Sequence, residues 1–237
     1  MTKSDSKKES KLNLGYEIFV GIISILSILN IVLNIVYRYL SVDADVSGVL
    51  DIMNGLFTII FLGDFTYRIL TAPSKKDYFF RDFGWADLLA SIPFDQGFLK
   101  ILRVFRLYRV YRLMKNVGPK KIVNTLTKDR AGSALYVLLL MGIMVLEFGA
   151  LAVLKAENVN PDANIKTAQD AVWYVIVTIS TVGYGDRYPT TSWGRVVGTI
   201  TILIGVGIFG TFTGFLANFF LAPQKQEEET EETPPAP

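Results

Sequence analysis

Hydrophobic positions in this chain come in long blocks separated by short polar connections. Apolar runs cover about Tyr16 to Tyr39, Val46 to Leu70, Phe80 to Phe94, Phe98 to Met114, Ala131 to Leu154 and Trp193 to Leu221. A helix rises ~1.5 Å per residue and needs ~20 residues to cross a hydrocarbon core of ~30 Å, so the pattern predicts six membrane-crossing helices. The first block is interrupted by Ser24, Ser27, Asn30 and Asn34. The second carries Asp51, Asp64 and Arg68, and the third contains Asp87 and ends at Pro93. The fourth, "KILRVFRLYRVYRLMK", is a poor span by hydropathy alone. A shorter apolar run, Thr167 to Ser180, opens with a cap-like Thr167 and Asp170 three residues on. It reaches about half-way through a bilayer, and its exposed backbone ends then require cover from protein, so it is predicted to be a re-entrant helix.

Composition agrees with the block pattern. Of 237 residues 51% are hydrophobic, and the mean hydropathy is +0.36, which places the chain among membrane proteins. The net charge of +2 implies no broad basic surface and argues against nucleic-acid binding. With no Cys and no His, disulfides, thiolate metal sites, a thiol nucleophile and imidazole catalysis are excluded, and no enzyme or cofactor is expected. The N-terminus is polar, and the first apolar run is too long for a signal-peptide core.

Basic residues set the expected topology. Lys3, Lys7, Lys8 and Lys11 precede the first span; Arg68, Lys75, Lys76 and Arg81 lie about the junction of the second and third; Lys115, Lys120, Lys121, Lys128 and Arg130 follow the fourth. Such loops stay cytoplasmic, whereas the first connection carries Asp43 and Asp45, so both termini are expected in the cytoplasm. The chain divides into an N-terminal segment 1–15, a four-helix unit 16–115, a linker 116–130 broken at Gly118 and Pro119, a two-span unit 131–222 with the re-entrant helix, and an acidic tail 223–237 expected to be disordered.

Two stretches carry chemistry. In "TISTVGYGDRYPT", Gly183 and Gly185 flank Tyr184 directly after the half-length helix. A site that strips water from a cation needs carbonyl oxygens aimed at one axis, whereas an ordinary strand alternates them; glycine relieves this by adopting positive φ. Thr181 would add a hydroxyl and a carbonyl, and Val182, Gly183 and Tyr184 carbonyls, with Tyr184 packed outward on Trp173 and Tyr174. The carboxyl end of the preceding helix favours a cation there. The second stretch places Arg103, Arg106, Arg109, Arg112 and Lys115 three residues apart. Each step is ~4.5 Å along an α-helix or ~6 Å along a 3₁₀-helix. A stripe of this kind within an apolar segment reads as charge that moves in the membrane field; the alternative is an amphipathic helix on the membrane surface.

The run Thr181 to Asp186 matches the filter signature of the voltage-gated potassium channel family, and the chain resembles that family from Tyr16 to Leu221. The resemblance implies an all-α membrane protein with a four-helix voltage-sensor bundle and a two-helix pore module carrying a re-entrant pore helix and selectivity-filter loop. It implies a homotetramer in the cell membrane in which K+ binds at Thr181, Val182, Gly183 and Tyr184, with Gly185 and Asp186 completing the filter. Arg103, Arg106, Arg109, Arg112 and Lys115 become gating charges, and Phe61, Asp64 and Asp87 the occluding aromatic and counter-charges. Arg187 and Tyr188 fall at the outer mouth. Gly205 and Gly210 are hinge candidates in the last helix, with close helix packing as the other reading of such small residues. The family's outer acidic position, ten residues before Asp64, is Asn54 here, and Asp51 lies about half a turn away. Glu147 in the fifth span is left unexplained by this reading; a protein-facing partner for a basic group is one use for it, but the sequence identifies no such group. Two alternatives share parts of this description: the same channel with a sensor that does not work, and a stand-alone sensor conducting protons, which has no use for "TVGYGD".

Overall fold

The computed structural model describes residues 3–40, 44–72, 74–80, 84–91, 107, 110, 111, 115, 118 and 130–221. Among these the chain is all-helical: α1 (Lys3–Leu40), α2 (Ala44–Thr71), α3 (Lys75–Phe80), α4 (Gly84–Ser91), α5 (Arg130–Glu157), α6 (Ala168–Ile179) and α7 (Ser192–Leu221). Four helices among the described residues are long and apolar enough to cross a membrane, within Leu14–Leu40, Asp45–Thr71, Ala134–Glu157 and Ser192–Asn218.

The expected third span is corrected at its start. Phe80 closes the separate short helix α3, and the described part of the span is α4, from Gly84. A Cβ on Gly84 would lie 2.7 Å from the Tyr78 ring, so a glycine is what lets α4 fold back on α3. The fourth segment is described only at Leu107, Val110, Tyr111 and Lys115, all helical, while Arg103, Arg106, Arg109 and Arg112 lie outside the described residues. The first helix begins well before Tyr16. Residues 3–14 hold no proline or glycine and several good helix formers, so the helix continues through polar sequence.

A stripe of α2, Val49, Met53, Phe57 and Phe61, recurs every fourth residue and is fully buried. It joins Phe19 and Ile23 of α1 and, across the chain, Ala150, Val153 and Leu154 of α5 and Ala171 and Val172 of α6 in one continuous core. Within a bilayer such packing gains little from water exclusion and depends on close contact, which small residues allow. Gly48 of α2 meets Ala168 at the start of α6, where an added Cβ would sit 2.9 Å from the alanine Cβ. Gly205 of α7 lies against Ile179, with only 2.8 Å between an added Cβ and that residue's Cα. The N-terminal helices and the C-terminal unit are thus packed together within one chain.

Candidate functional site

The half-length helix is α6, bounded by Thr167 and Ser180 as the pattern predicts. Its capping box is complete: the Thr167 hydroxyl accepts from the Asp170 N–H at 3.2 Å, and Asp170 Oδ2 accepts from the Thr167 N–H at 3.2 Å. At its other end the chain turns sharply. Thr181 N–H donates to Thr178 O at 3.1 Å, Val182 and Gly183 N–H both reach Val177 O at 3.1 and 3.3 Å, and the carbonyls of residues 181–183 are left out of this bonding. Gly183 and Gly185 have φ of +60° and +79°, the left-handed geometry that glycine permits. Thr181 also has φ +60°, which residue type argues against, because a β-branched side chain strains there. Residues 181–186 are all exposed on the single chain.

The loop is braced from outside. Trp173 stacks on Tyr184, with ring centroids 5.8 Å apart and planes 4° from parallel, and its indole N–H donates to Asp186 Oδ2 at 2.8 Å. Tyr174 does not join them. It is buried with its hydroxyl toward Gly198 of α7, where an added Cβ would lie 2.5 Å away. Arg187 is turned toward the cap of α6: Nη2 pairs with Asp170 Oδ1 at 2.9 Å and Nη1 donates to Asn164 O at 2.8 Å. Tyr188 is exposed, and its N–H donates to Asn164 Oδ1. Burial pushes the Asp170 carboxyl up, but hydrogen bonds from Lys166 N–H and from Thr167, with the Arg187 charge, outweigh it and hold the group below the usual aspartate range.

Glu157, at the end of α5, was not singled out by sequence pattern. Its buried carboxylate accepts from Thr190 N–H at 2.8 Å, Thr191 N–H at 2.9 Å and both threonine hydroxyls. A Cβ on Gly194 would fall 2.0 Å from Glu157 Oε1, so this carboxylate ties α5 to the start of α7 where a side chain is excluded. The only sequence signal for it was an acid at the edge of an apolar block followed, after the loop, by two threonines.

On the other unit, Phe61 and Asp64 are buried on α2, and Asp87 is buried on α4 with the Tyr78 hydroxyl donating to its Oδ2 at 3.0 Å. Asp64 Oδ1 accepts from Arg68 Nε at 2.8 Å and from the Tyr16 hydroxyl at 2.5 Å. Arg68 also pairs with Glu17 at 2.9 Å and lies over the Tyr16 ring, 5.7 Å from its centroid. Tyr16 and Glu17 were likewise missed. Asp51 is engaged by Arg38 at 2.6 Å and by Asn34 at 2.9 Å. Lys115 is helical and exposed. Both hinge candidates, Gly205 and Gly210, lie inside the uninterrupted α7; Gly205 packs closely on Ile179, while nothing lies within 4 Å of a Cβ on Gly210. Glu147, for which the sequence identifies no partner, accepts here from the neutral Asn30.

Membrane-crossing helices, a capped half-length helix ending in a glycine-bent exposed loop, and buried carboxylates on the adjoining helices define a membrane protein that handles ions. Residues 16–228 match the ion transport protein family, and the chain belongs to it. It is 38% identical over 73 residues to a voltage-gated potassium channel of Aeropyrum pernix, covering 31% of this chain and 25% of that protein. It is 36% identical over 86 residues to potassium voltage-gated channel subfamily A member 10 of Mus musculus, covering 36% of this chain and 17% of the relative. A cyclic nucleotide-gated potassium channel of Mesorhizobium japonicum is 29% identical over 99 residues, covering 42% of this chain and 28% of the relative. The chain therefore spans less than a third of the length of these relatives.

Proposed function

We propose that the chain is the subunit of a voltage-gated, potassium-selective channel, a homotetramer in the cell membrane with both termini cytoplasmic. The observation that carries this reading is the run Thr181–Asp186 at the carboxyl end of a capped half-length helix, with positive φ at residues 181, 183 and 185. Irregular backbone at membrane depth is tolerated only where protein or a water-filled cavity covers it, and on the single chain this loop is exposed. Four copies around one axis would enclose it and supply rings of carbonyls from Thr181, Val182, Gly183 and Tyr184 in place of the potassium hydration shell. Much of α7 is also exposed, including Ile200, Leu203 and Val206, a surface for neighbouring copies or lipid.

Residues 131–222 then form the pore and 16–115 the voltage sensor, joined by 116–130. Arg103, Arg106, Arg109, Arg112 and Lys115 carry the gating charge, with Phe61, Asp64 and Asp87 facing their path. The buried acids of α2 and α4 support this assignment. Asp51, near the family's outer acidic position, is held by Arg38. The test is flux in liposomes holding the purified protein, with potassium passing in preference to sodium under an imposed potential. Gly183→Ala puts a Cβ on a backbone at φ +60° and should abolish or de-select the flux while leaving membrane insertion intact. Selective flux of ordinary size from that variant refutes the filter.

A further inference from the structure

Glu147 lies near the middle of the span Ala134–Glu157 and is fully buried, as is Asn30 of α1. Asn30 Nδ2 donates to Glu147 Oε1 at 2.8 Å. The other two oxygens of the pair, Asn30 Oδ1 and Glu147 Oε2, are buried with no hydrogen-bond donor. An ionised carboxylate only accepts, and so does an amide oxygen. Rotating the Asn30 amide does not help, because its oxygen then meets the same carboxylate.

Among the described residues a cation does not resolve the conflict either. Of the charged side chains on the helices packed against α5, Arg38 is paired with Asp51, Arg68 with Asp64 and Glu17, and Asp170 with Arg187. Asp45 near the start of α2 and Arg195 in the first turn of α7 lie at helix ends, far along their helices from the membrane middle. Among the described residues no ion pair reaches Glu147, and at this depth bulk water is excluded.

We propose that Glu147 carries a proton, and that its Oε2–H donates to Asn30 Oδ1 to close a ring of two hydrogen bonds: a neutral acid–amide clasp that fastens α1 to α5 of the same chain. One proton turns two opposed acceptors into a satisfied pair and removes the charge from the bilayer interior. Toward the start of both helices the same seam is aromatic, with Tyr16 and Phe19 on Tyr136. Such surfaces can slide, whereas a directional buried polar pair holds a helix pair in one register. The clasp deepens the channel reading, in which it joins sensor to pore, but its chemistry rests on the structure alone.

The test uses the full chain in lipid nanodiscs at neutral pH. The infrared difference between the wild type and Glu147→Gln should contain a protonated-carboxyl C=O band, and Asn30→Leu should shift that band. Glu147→Gln should keep the wild-type melting temperature, since its amide still gives Asn30 a donor and an acceptor. Asn30→Leu and Glu147→Leu should each lower it, and the double variant no further than the worse single one. Absence of the band, or additive losses in the double variant, overturns the clasp. Because neither readout uses ion flux, a protein that fails to conduct potassium would defeat the channel reading and leave this result standing.

Discussion

Replacing Glu157 by Gln should destabilise the junction between α5 and α7 by about 2–4 kcal/mol per subunit. Each carboxylate oxygen takes one backbone N–H and one hydroxyl, Oε2 from Thr190 and Oε1 from Thr191. Gln keeps the shape but can offer only one accepting oxygen. The hydroxyl facing its NH₂ can rotate and accept, but the backbone N–H beside it cannot. Whichever way the amide is turned, one charge-assisted hydrogen bond, worth about 1.5–3 kcal/mol, is lost and one buried N–H is left without an acceptor. These losses overlap, which sets the total near the figure given. The assay is denaturant or thermal unfolding of the reconstituted protein, followed by a probe on α5 or α7. Gly194→Ala, whose Cβ would occupy the same space as the carboxylate, should cost a similar amount and combine with Glu157→Gln less than additively. A change below ~0.5 kcal/mol for Glu157→Gln, the scale of an ordinary surface substitution, would refute the assignment of this carboxylate as the tie between the two helices.

Three further outcomes are expected. Because the Asp170 carboxyl is held below the usual aspartate value, its contribution to stability is complete above about pH 4 and is lost as pH falls through the lowered folded value; Asp170→Asn should remove that acid-side slope from the melting temperature and lower stability at neutral pH. Arg109→Gln should reduce the total gating charge per channel, each elementary charge across the full field being worth ~2.3 kcal/mol per 100 mV; an unchanged total in both this variant and Arg106→Gln would return the stripe to a surface helix. In a chain with no native Cys, the pair Gly48→Cys and Ala168→Cys should oxidise within one subunit and run as a monomer on a non-reducing denaturing gel, whereas a ladder of linked subunits would mean that α2 docks on a neighbour.

How far the sequence could be read depended on the range of the forces involved. The limits of α6 were legible because a capping box is built from residues three apart, and α7 because a long apolar block has few other uses. The partner of Tyr184 was half legible. Trp173 and Tyr174 are neighbours in sequence but ~100° apart around a helix, so one meets the loop and the other meets α7. Glu147 announced itself as an acid in an apolar span, yet its partner lies 117 residues away and is neutral, which no local pattern encodes. The division between α3 and α4 depends on Gly84 meeting Tyr78, a tertiary contact hidden from hydropathy. Glycine geometry was foreseeable at Gly183 and Gly185 from residue type, and for the same reason it was not foreseeable at Thr181.

The contact between Gly48 and Ala168 gives α6 a foot that stands on α2. A 12-residue helix is a strut about 18 Å long, and it delivers any displacement of its base to the glycine-bent loop at its tip. Dimensional tolerance at that loop is then set partly by residues on another helix, remote from the loop itself. If the loop is the filter proposed above, bulkier side chains at Gly48 should act like a shim under the strut, altering which ions pass without changing a single atom of the loop's own sequence.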